Sequence, residues 1–422
     1  MSPDSRKPVL VIGGGIAGIT AAVELADVGC RVILVEKSTS LGGRVAGMHQ
    51  YFPKLCPPSC GLEMHYRRIR DNAAITVLTQ AEVTEVAGSA GDYEVRVAIQ
   101  PRFVTASCTL CGACEAVCPA QRPDDFNYGL ATTRAAYLPH GMAYPALYAI
   151  DRSACPAGCR ACEEACVYDA IRLHAQPEIA TYHVCAIVVA TGWKPYDAAK
   201  LERLGFGKYR NVVTNVMLER MAASDGPTAG RILRPFDGKQ PRTVAFVQCA
   251  GSRDENHLPY CSAVCCSASI KHAAYIRALE PETAITIFYI DIRTPGRLEE
   301  FAARVEHDAG VRLVKGKAAL VEENPATGDL LVTAEDVLTG RKSTGQFELV
   351  VLATGIVPRT EGLPIALQRD EFGFLNAPNG SAGLYAAGCV RRPGEVSSTV
   401  QDATGAALKA LQCANRSVCH AG

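Results

Sequence analysis

Three groups of cysteines stand at spacings that suit metal chemistry. Cys108-x2-Cys111-x2-Cys114-x3-Cys118 runs into Pro119, and Cys155-x3-Cys159-x2-Cys162-x3-Cys166 repeats it with a longer first gap and no closing proline. The first run is the spacing that wraps a 4Fe-4S cluster: three thiolates hold one cube, and the fourth, before the proline, is given to a neighbouring cluster. Exchange of that kind assigns Cys108, Cys111, Cys114 and Cys166 to one cluster, and Cys118, Cys155, Cys159 and Cys162 to another. Zinc is the competing reading, but this is poor zinc-finger spacing. The third group is Cys249-x11-Cys261-x3-Cys265-Cys266. Adjacent cysteines suit neither a zinc finger nor an easy disulfide, yet both can bind one cluster from a loop. On spacing alone, ordinary buried thiols explain this third group equally well.

A second chemistry is written in glycine. Gly13-x-Gly15-x-x-Gly18 lies between the apolar run Val9-Leu-Val-Ile12 and a small-residue helix read over 19–28, and Glu36 follows 18 residues after Gly18. Gly13 makes the tight turn, Gly15 lets the backbone approach a pyrophosphate, and Gly18 allows close helix packing. The helix N-terminus, with the amides of Ile16 and Ala17, faces the phosphates. Glu36, with Lys37 beside it, closes the second strand and is placed to accept hydrogen bonds from the adenosine ribose. A glycine turn without a ligand is the bland alternative. Gly43-Arg44, Ala190-Thr191-Gly192, Ala353-Thr354-Gly355 and Gly388 complete the candidate dinucleotide contacts.

These residues need elements to position them. Strand, glycine turn, helix and the strand Arg31-Val-Ile-Leu-Val-Glu36 form a βαβ unit, the start of a doubly wound sheet. The resulting organisation is a first part of a dinucleotide domain over 1–100, an inserted cysteine-rich module over 101–177, and a continuation and crossover over 178–240. A second Rossmann-like domain over 241–345 carries the third cysteine group, and 346–422 returns to the first domain. In the second domain a strand from Thr243 is followed by a helix read over 267–279 and a strand over 285–290. A final helix is read over 398–412. The two Ala-Thr-Gly copies are too far apart for a solenoid repeat and mark crossings between domains.

Composition removes whole classes of function. The 422 residues hold 43 Lys and Arg against 43 Asp and Glu, with 48% hydrophobic residues. That balance, with no block of like charge, argues against nucleic acid or an anionic membrane surface as main partner. The 19 cysteines would mean disulfides in a small secreted protein, but this chain is too long and core-rich for that class. The stretch from Val9 to Ala26 is the only candidate span, and its glycines and Glu24 make it a strand, turn and helix instead. The expectation is a soluble, cytoplasmic protein with no membrane span of its own.

The glycine motifs together resemble the flavoproteins with two dinucleotide-binding domains, the fold of thioredoxin reductase, here with a ferredoxin-like two-cluster insertion. That resemblance favours FAD over NAD. Two departures stand out. Cys389 occupies the place where those flavoproteins carry the aspartate that bonds the ribityl chain. The strand that should open a nicotinamide site ends Val247-Gln-Cys-Ala-Gly-Ser-Arg253, with one glycine where two or three are needed. The reading is a domain that does not bind a nicotinamide, with a cluster as the flavin's electron partner.

Gln248-Cys-Ala-Gly-Ser-Arg-Asp254, Pro259-Tyr-Cys-Ser-Ala-Val-Cys-Cys266 and Phe288-Tyr-Ile-Asp-Ile-Arg293 resemble the A subunit of heterodisulfide reductase. In that family the third cysteine signature binds a 4Fe-4S cluster beside FAD, so the resemblance implies three clusters in all. Tyr51-Phe-Pro-Lys-Leu-Cys-Pro-Pro-Ser-Cys-Gly-Leu-Glu63, Ala190-Thr-Gly-Trp-Lys-Pro-Tyr196, Asp291-Ile-Arg-Thr-Pro-Gly-Arg297 and Ala403-Thr-Gly-Ala-Ala-Leu-Lys409 resemble the A subunit of the quinone-interacting membrane-bound oxidoreductase. This branch implies an electron-transfer subunit held peripherally at the inner membrane. Its partners would be a second flavin and iron–sulfur subunit, a haem- and quinone-binding membrane subunit, and adenylylsulfate reductase, in dissimilatory sulfur metabolism. The insertion, with Phe126-Asn-Tyr-Gly129, is closer to the heterodisulfide reductase side. The alternative is therefore the A subunit of a cytoplasmic complex acting on thiols, disulfides or sulfur carriers.

No acid–base or nucleophilic residue set emerges, and the expected role is electron transfer between a two-electron flavin and one-electron clusters. Cys56-x3-Cys60 admits a redox disulfide, an electron relay or a structural pair of thiols. Lys54 and Arg44 are each placed to stabilise an anionic flavin or to lie on a solvated face. Cys30, Cys185, Cys389, Cys413 and Cys419 fit as small buried hydrophobes, and the nine histidines form no ligand pattern.

Overall fold

The computed structural model describes residues 7–337, 340–376 and 383–419. Contacts divide the chain into two compact units. The first comprises Met1–Ala46, Pro58–Trp193 and Pro358–Gly422, and the second Gly47–Pro57 and Lys194–Val357.

In the first unit Val9–Ile12 is apolar throughout and buried at every position, as a parallel strand covered on both faces must be. It is the centre of a five-stranded parallel sheet ordered Leu384–Ala386, Ala186–Val189, Val9–Ile12, Val32–Glu36, Ile75–Thr79. Helices Ile16–Asp27 and Val396–Cys419 pack against each other. Alternate residues of the sheet, among them Leu10, Ile12, Ile33, Val35, Ile187 and Val189, share a core with Val83, Val95, Val97 and Val184. Those last residues belong to an antiparallel sheet ordered Glu178–Val184, Asp92–Ile99, Ala81–Ser89.

The cysteine-rich module leaves and rejoins that antiparallel sheet at one point, since Ile99 and Glu178 are paired neighbours. Inside it, Gln121–Pro123 pairs with Thr132–Arg134 and Ala136–Tyr137 with Ala149–Ile150. Its core is assembled from Val104, Tyr148, Ile150, Ile171 and the side chains of Cys114, Cys118 and Cys162. Strands this short cannot bury a core alone, so the thiols are structural members of it. The module packs on its own unit: Tyr144 stacks on Tyr66 at 5.3 Å, and the Leu41 amide donates to the Tyr144 carbonyl at 2.8 Å.

The second unit repeats the plan. Its parallel sheet is ordered Val212–Thr214, Leu349–Thr354, Thr243–Ala250, Ala284–Tyr289, Val311–Lys315. An antiparallel sheet of Ala318–Glu323, Leu330–Asp336 and Arg341–Phe347 shares its core through Val321, Val332 and Phe347. Thr243–Ala250 is thus the central strand here, as Val9–Ile12 is in the first unit.

Three helices differ from their sequence bounds. The first spans Ile16–Asp27, the one after the third cysteine group Cys265–Leu279, and the last Val396–Cys419. All three begin two or three residues earlier than read: amides of a first helical turn need no intrahelical acceptor, so the apolar period does not mark where the turn begins. No helix among the described residues is long and apolar enough to cross a membrane.

Candidate dinucleotide and thiol-cluster sites

The glycine turn sits at the carboxyl end of the central strand of the first unit, the position where open α/β sheets bind ligands. A Cβ on Gly18 would stand 1.7 Å from the Gly13 carbonyl oxygen, and one on Gly13 would stand 2.4 Å from the Ala190 carbonyl oxygen. Gly15 differs: a Cβ there would meet only the Cα of Gly43, at 3.9 Å. Two glycines are therefore required by packing, while the third faces open space. Gly15 is also the N-cap of Ile16–Asp27 and offers no side chain to it, and the first intrahelical bond runs from Ile19 N to the Gly15 carbonyl. The amides of Ile16, Ala17 and Gly18 are left for an external acceptor, the donor set a pyrophosphate fits.

Glu36 is buried, and its carboxylate accepts the Gly14 amide at 2.5 Å and the Ser38 amide at 2.7 Å. Each oxygen keeps one further lone-pair site, so a ribose diol still fits. Lys37 is turned elsewhere, into a surface ion pair with Glu82 at 2.9 Å. Arg44 lies between the rings of Tyr128 and Trp193, 5.6 and 5.5 Å from their centroids, and donates to the Tyr128 hydroxyl at 2.7 Å. Tyr128 comes from the inserted module, so the module reaches the residue that follows Gly42-Gly43. Ala190 to Gly192 back the turn: the Ala190 amide donates to the Ile12 carbonyl at 2.7 Å, and Thr191 Oγ1 to the Arg359 carbonyl at 2.6 Å. Gly388, at φ +74°, donates its amide to Asp402 at 2.7 Å, and a Cβ there would meet Ala17 Cβ at 2.9 Å. The Cys389 side chain is buried, with its Sγ 3.4 Å from the Gly394 carbonyl. Asp402 and Arg359 carried no sequence signal, because neither stands in a motif.

Ala353, Thr354 and Gly355 belong to the second unit and pack with the third cysteine group. Thr354 Oγ1 donates to Asn215 at 2.9 Å, and a Cβ on Gly355 would meet the hydroxyls of Ser252 and Ser262 at 2.3 and 2.7 Å. The Cys265 thiol is directed at the Thr354 carbonyl, 3.7 Å away.

The cysteines gather in sets. Cys118, Cys155, Cys159 and Cys162 line one recess with Pro119, Ala120, Ala136, Ile150 and Pro156, about 270 Å³ of atom-free space counting its open mouth. An apolar wall studded with four soft donors fits a cluster and offers nothing to a hard cation. Cys108 and Cys114 act electrostatically on each other, Cys166 accepts the Ala170 amide at 3.3 Å, and Cys111 is exposed.

In the second unit Cys249 ends the central strand, at φ +54°, and Cys265-Cys266 open the following helix. These thiols and Cys261 all act on one another. Burial pushes the Cys249 thiol up to about 11 and the Cys265 thiol higher still. Beside them Asp291 holds both Arg253 and Arg293, the latter at 3.2 Å, and the Asp291 carbonyl lies 3.7 Å from Cys266 Sγ. Among the described residues no three metal-binding side chains converge on a single-ion site. Cubane ligands stand further apart, because each holds a different iron.

Sequence reasoning missed a buried network in the same unit. Glu219 accepts Lys271 Nζ at 2.8 Å, His272 Nε2 at 2.5 Å and the His49 amide at 2.8 Å. Lys271 also donates to the Gln50 carbonyl at 2.9 Å. This ties down the loop carrying exposed Lys54 and half-buried Cys56, closed by the Tyr51 amide on the Cys56 carbonyl at 2.8 Å. Cys60, exposed on helix Pro58–Arg70, belongs to the first unit. Cys30, Cys185 and Cys389 are buried and Cys413 is half-buried; the Cys419 side chain lies outside the described residues.

Residues 8–98 match the FAD dependent oxidoreductase family. The homologues are A subunits of heterodisulfide reductases. The chain is 38% identical, over 95% of its length, to the A subunit of the H(2):CoB-CoM heterodisulfide,ferredoxin reductase of Methanothermobacter marburgensis. It is 39% identical, over 95%, to the iron-sulfur A subunit of the CoB--CoM heterodisulfide reductase of Methanocaldococcus jannaschii, and 41%, over 96%, to one from Methanopyrus kandleri. It spans 63, 63 and 64% of those three proteins, so less than two thirds of their length. Among solved structures, thioredoxin reductase of Lactococcus lactis aligns over 97% of this chain and 100% of its own, with TM-score 0.55 and 14% identity. That of T. acidophilum aligns over 98 and 99%, with TM-score 0.53 and 15% identity. The fold is that of thioredoxin reductase, and family and relatives agree on an oxidoreductase.

Proposed function

We propose that this chain is the electron-transferring A subunit of a heterodisulfide-reductase-like complex, serving thiol, disulfide or sulfur-carrier chemistry on partner subunits. The observation that carries the reading is positional. Each unit has a five-stranded parallel sheet, and the carboxyl end of its central strand carries a glycine turn in one and, in the other, Cys249 followed by a helix that Cys265-Cys266 open. FAD would lie on the first, and a 4Fe-4S cluster on Cys249, Cys261, Cys265 and Cys266. The inserted module would hold two more, on Cys108, Cys111, Cys114 and Cys166, and on Cys118, Cys155, Cys159 and Cys162.

Bound there, the flavin exchanges electron pairs and the clusters single electrons. The chain's own part is placement and insulation. Amides of Ile16 to Gly18 would hold the pyrophosphate, Glu36 would orient the ribose, and burial keeps water from Cys114, Cys118, Cys162, Cys249, Cys265 and Cys266. Arg253 and Arg293, fixed by Asp291, set cationic charge beside the third group.

A second reading keeps the cofactors and changes the partners. Residues 51–63 favour a quinone-linked membrane complex feeding adenylylsulfate reductase, with this chain peripheral to the membrane through other subunits. Reduction of the flavin by menaquinol only with a haem-bearing partner supports that reading; oxidation of the reduced chain's partner complex by a heterodisulfide supports the first.

The test is iron and acid-labile sulfide per FAD on anaerobically purified protein. About twelve irons per flavin are expected for three cubanes, falling by about four in Cys266→Ser and again in Cys111→Ser. FAD without iron overturns the proposal, and rapid bleaching of the flavin by NADH or NADPH would put a nicotinamide-dependent disulfide reductase in its place.

A further inference from the structure

The Arg359 side chain has no assigned role, yet its backbone stands beside the dinucleotide turn. Its backbone is fixed on the first Ala-Thr-Gly segment: the Arg359 amide donates to the Gly192 carbonyl at 3.0 Å, and its own carbonyl accepts Thr191 Oγ1 at 2.6 Å. The side chain is exposed to solvent, and yet nearby atoms desolvate it enough to lower its pKa.

Arg359 and Arg44 meet on one backbone segment beside the glycine turn: the Arg359 amide donates to the Gly192 carbonyl at 3.0 Å and Arg44 Nε to the Trp193 carbonyl at 3.4 Å, all in the same unit. Arg44 and Glu36 also act electrostatically on the Arg359 guanidinium. Among the described residues the Arg359 guanidinium has no hydrogen-bond or ion-pair partner. Glu36, the anion acting on it, already accepts two backbone amides. Arg44 is pinned by the Tyr128 hydroxyl and by the Trp193 carbonyl at 3.4 Å, so it keeps its charge in place facing the same space. Two like charges held on one backbone segment raise the energy of the chain alone. An anion between them reverses the sign, and a guanidinium fork matches phosphate oxygens in pairs.

We propose that Arg359, with Arg44, grips the pyrophosphate of the bound dinucleotide, a contact additional to the helix N-terminus. The inference rests on the FAD site proposed above. Arg359 is a binding residue in this role, and its effect belongs to the phosphates and not to the adenosine or the flavin ring.

The experiment measures equilibrium binding of FAD to the full chain, stripped of flavin, by quenching of flavin fluorescence, with ADP and adenosine as competitors. Arg359→Leu is expected to weaken FAD at least tenfold and ADP by the same factor, and to leave adenosine unchanged. Arg359→Lys recovers part of the loss, since charge remains and the fork does not. The melting temperature of the unliganded Arg359→Leu chain stays at or above that of the parent, because a like-charge contact has been removed. FAD and ADP affinities within twofold of the parent overturn the inference, as does an equal loss for adenosine, which would mark a structural role. If the parent binds neither FAD nor ADP, the site itself falls and this contact with it.

Discussion

At the scale of single residues, the glycines of the turn separate packing from binding. Gly18→Ala drives a methyl group into the Gly13 carbonyl, 1.7 Å from the position it would take. The turn must move, at a cost of roughly 1–3 kcal/mol or more, so this variant is expected to lose both melting temperature and flavin. Gly15→Ala meets no atom closer than 3.9 Å within the protein. It is expected to fold with an unchanged melting temperature and to lose flavin, read from the absorbance ratio of the purified protein. Equal destabilisation by both would show that Gly15 is a packing glycine. The thiols carry a pH prediction of their own. Burial holds Cys249 and Cys265 above the ordinary thiol range, so both are protonated near neutrality and must release protons to become ligands. Cluster reconstitution in a variant retaining only the third cysteine group is therefore expected to gain yield from pH 7 to pH 9. A flat profile would mean that these thiols do not bind.

At the scale of elements, the buried contact of helix Asn215–Ala222 with helix Cys265–Leu279 decides the acid sensitivity of the second unit. Burial alone would raise the Glu219 carboxyl, but Lys271 and His272 hold it well below the carboxylate range, while burial lowers His272. In both cases the unfolded chain binds the proton more readily, so stability rises with pH. Loss begins as pH falls below the ordinary histidine value, about 6.5, and deepens below about 4.3, where free carboxylates protonate. Glu219→Gln leaves Lys271 buried without its counter-charge and is expected to cost about 3–5 kcal/mol, seen as a lower melting temperature with a flatter acid limb. An unchanged limb would place the titration elsewhere. None of this was legible in the sequence, because Glu219, Lys271 and His272 sit at helical positions that look like a solvated face. The glycine turn was legible, since a positive φ and a close approach are local demands on residue type. The second Ala-Thr-Gly was legible as a strand end but not as a neighbour of Ser252, Ser262 and Cys265, because a repeated motif does not say which sheet it joins.

At the scale of the whole molecule, both units have one plan, a five-stranded parallel sheet backed by a three-stranded antiparallel one. The apolar runs that make the parallel strands are readable one at a time, but their order in each sheet depends on long-range pairing that no local pattern encodes. The inserted module is joined covalently at one point, where Ile99 and Glu178 are neighbours. Replacing residues 100–177 by a tight turn is therefore expected to leave a folded chain that keeps about four irons per flavin; loss of the second unit's iron as well would show that the module supports it. On the cluster assignment proposed above, the single connection also links maturation of this chain to metal supply. Were the module to lose its order without bridged thiols, it would become a loop of roughly 80 residues, and closing such a loop costs about 2–3 kcal/mol more than closing a turn of about four. If the thiols hold clusters as proposed, a chain made without iron would have its first unit weakened through chain entropy alone, and quality control would remove it.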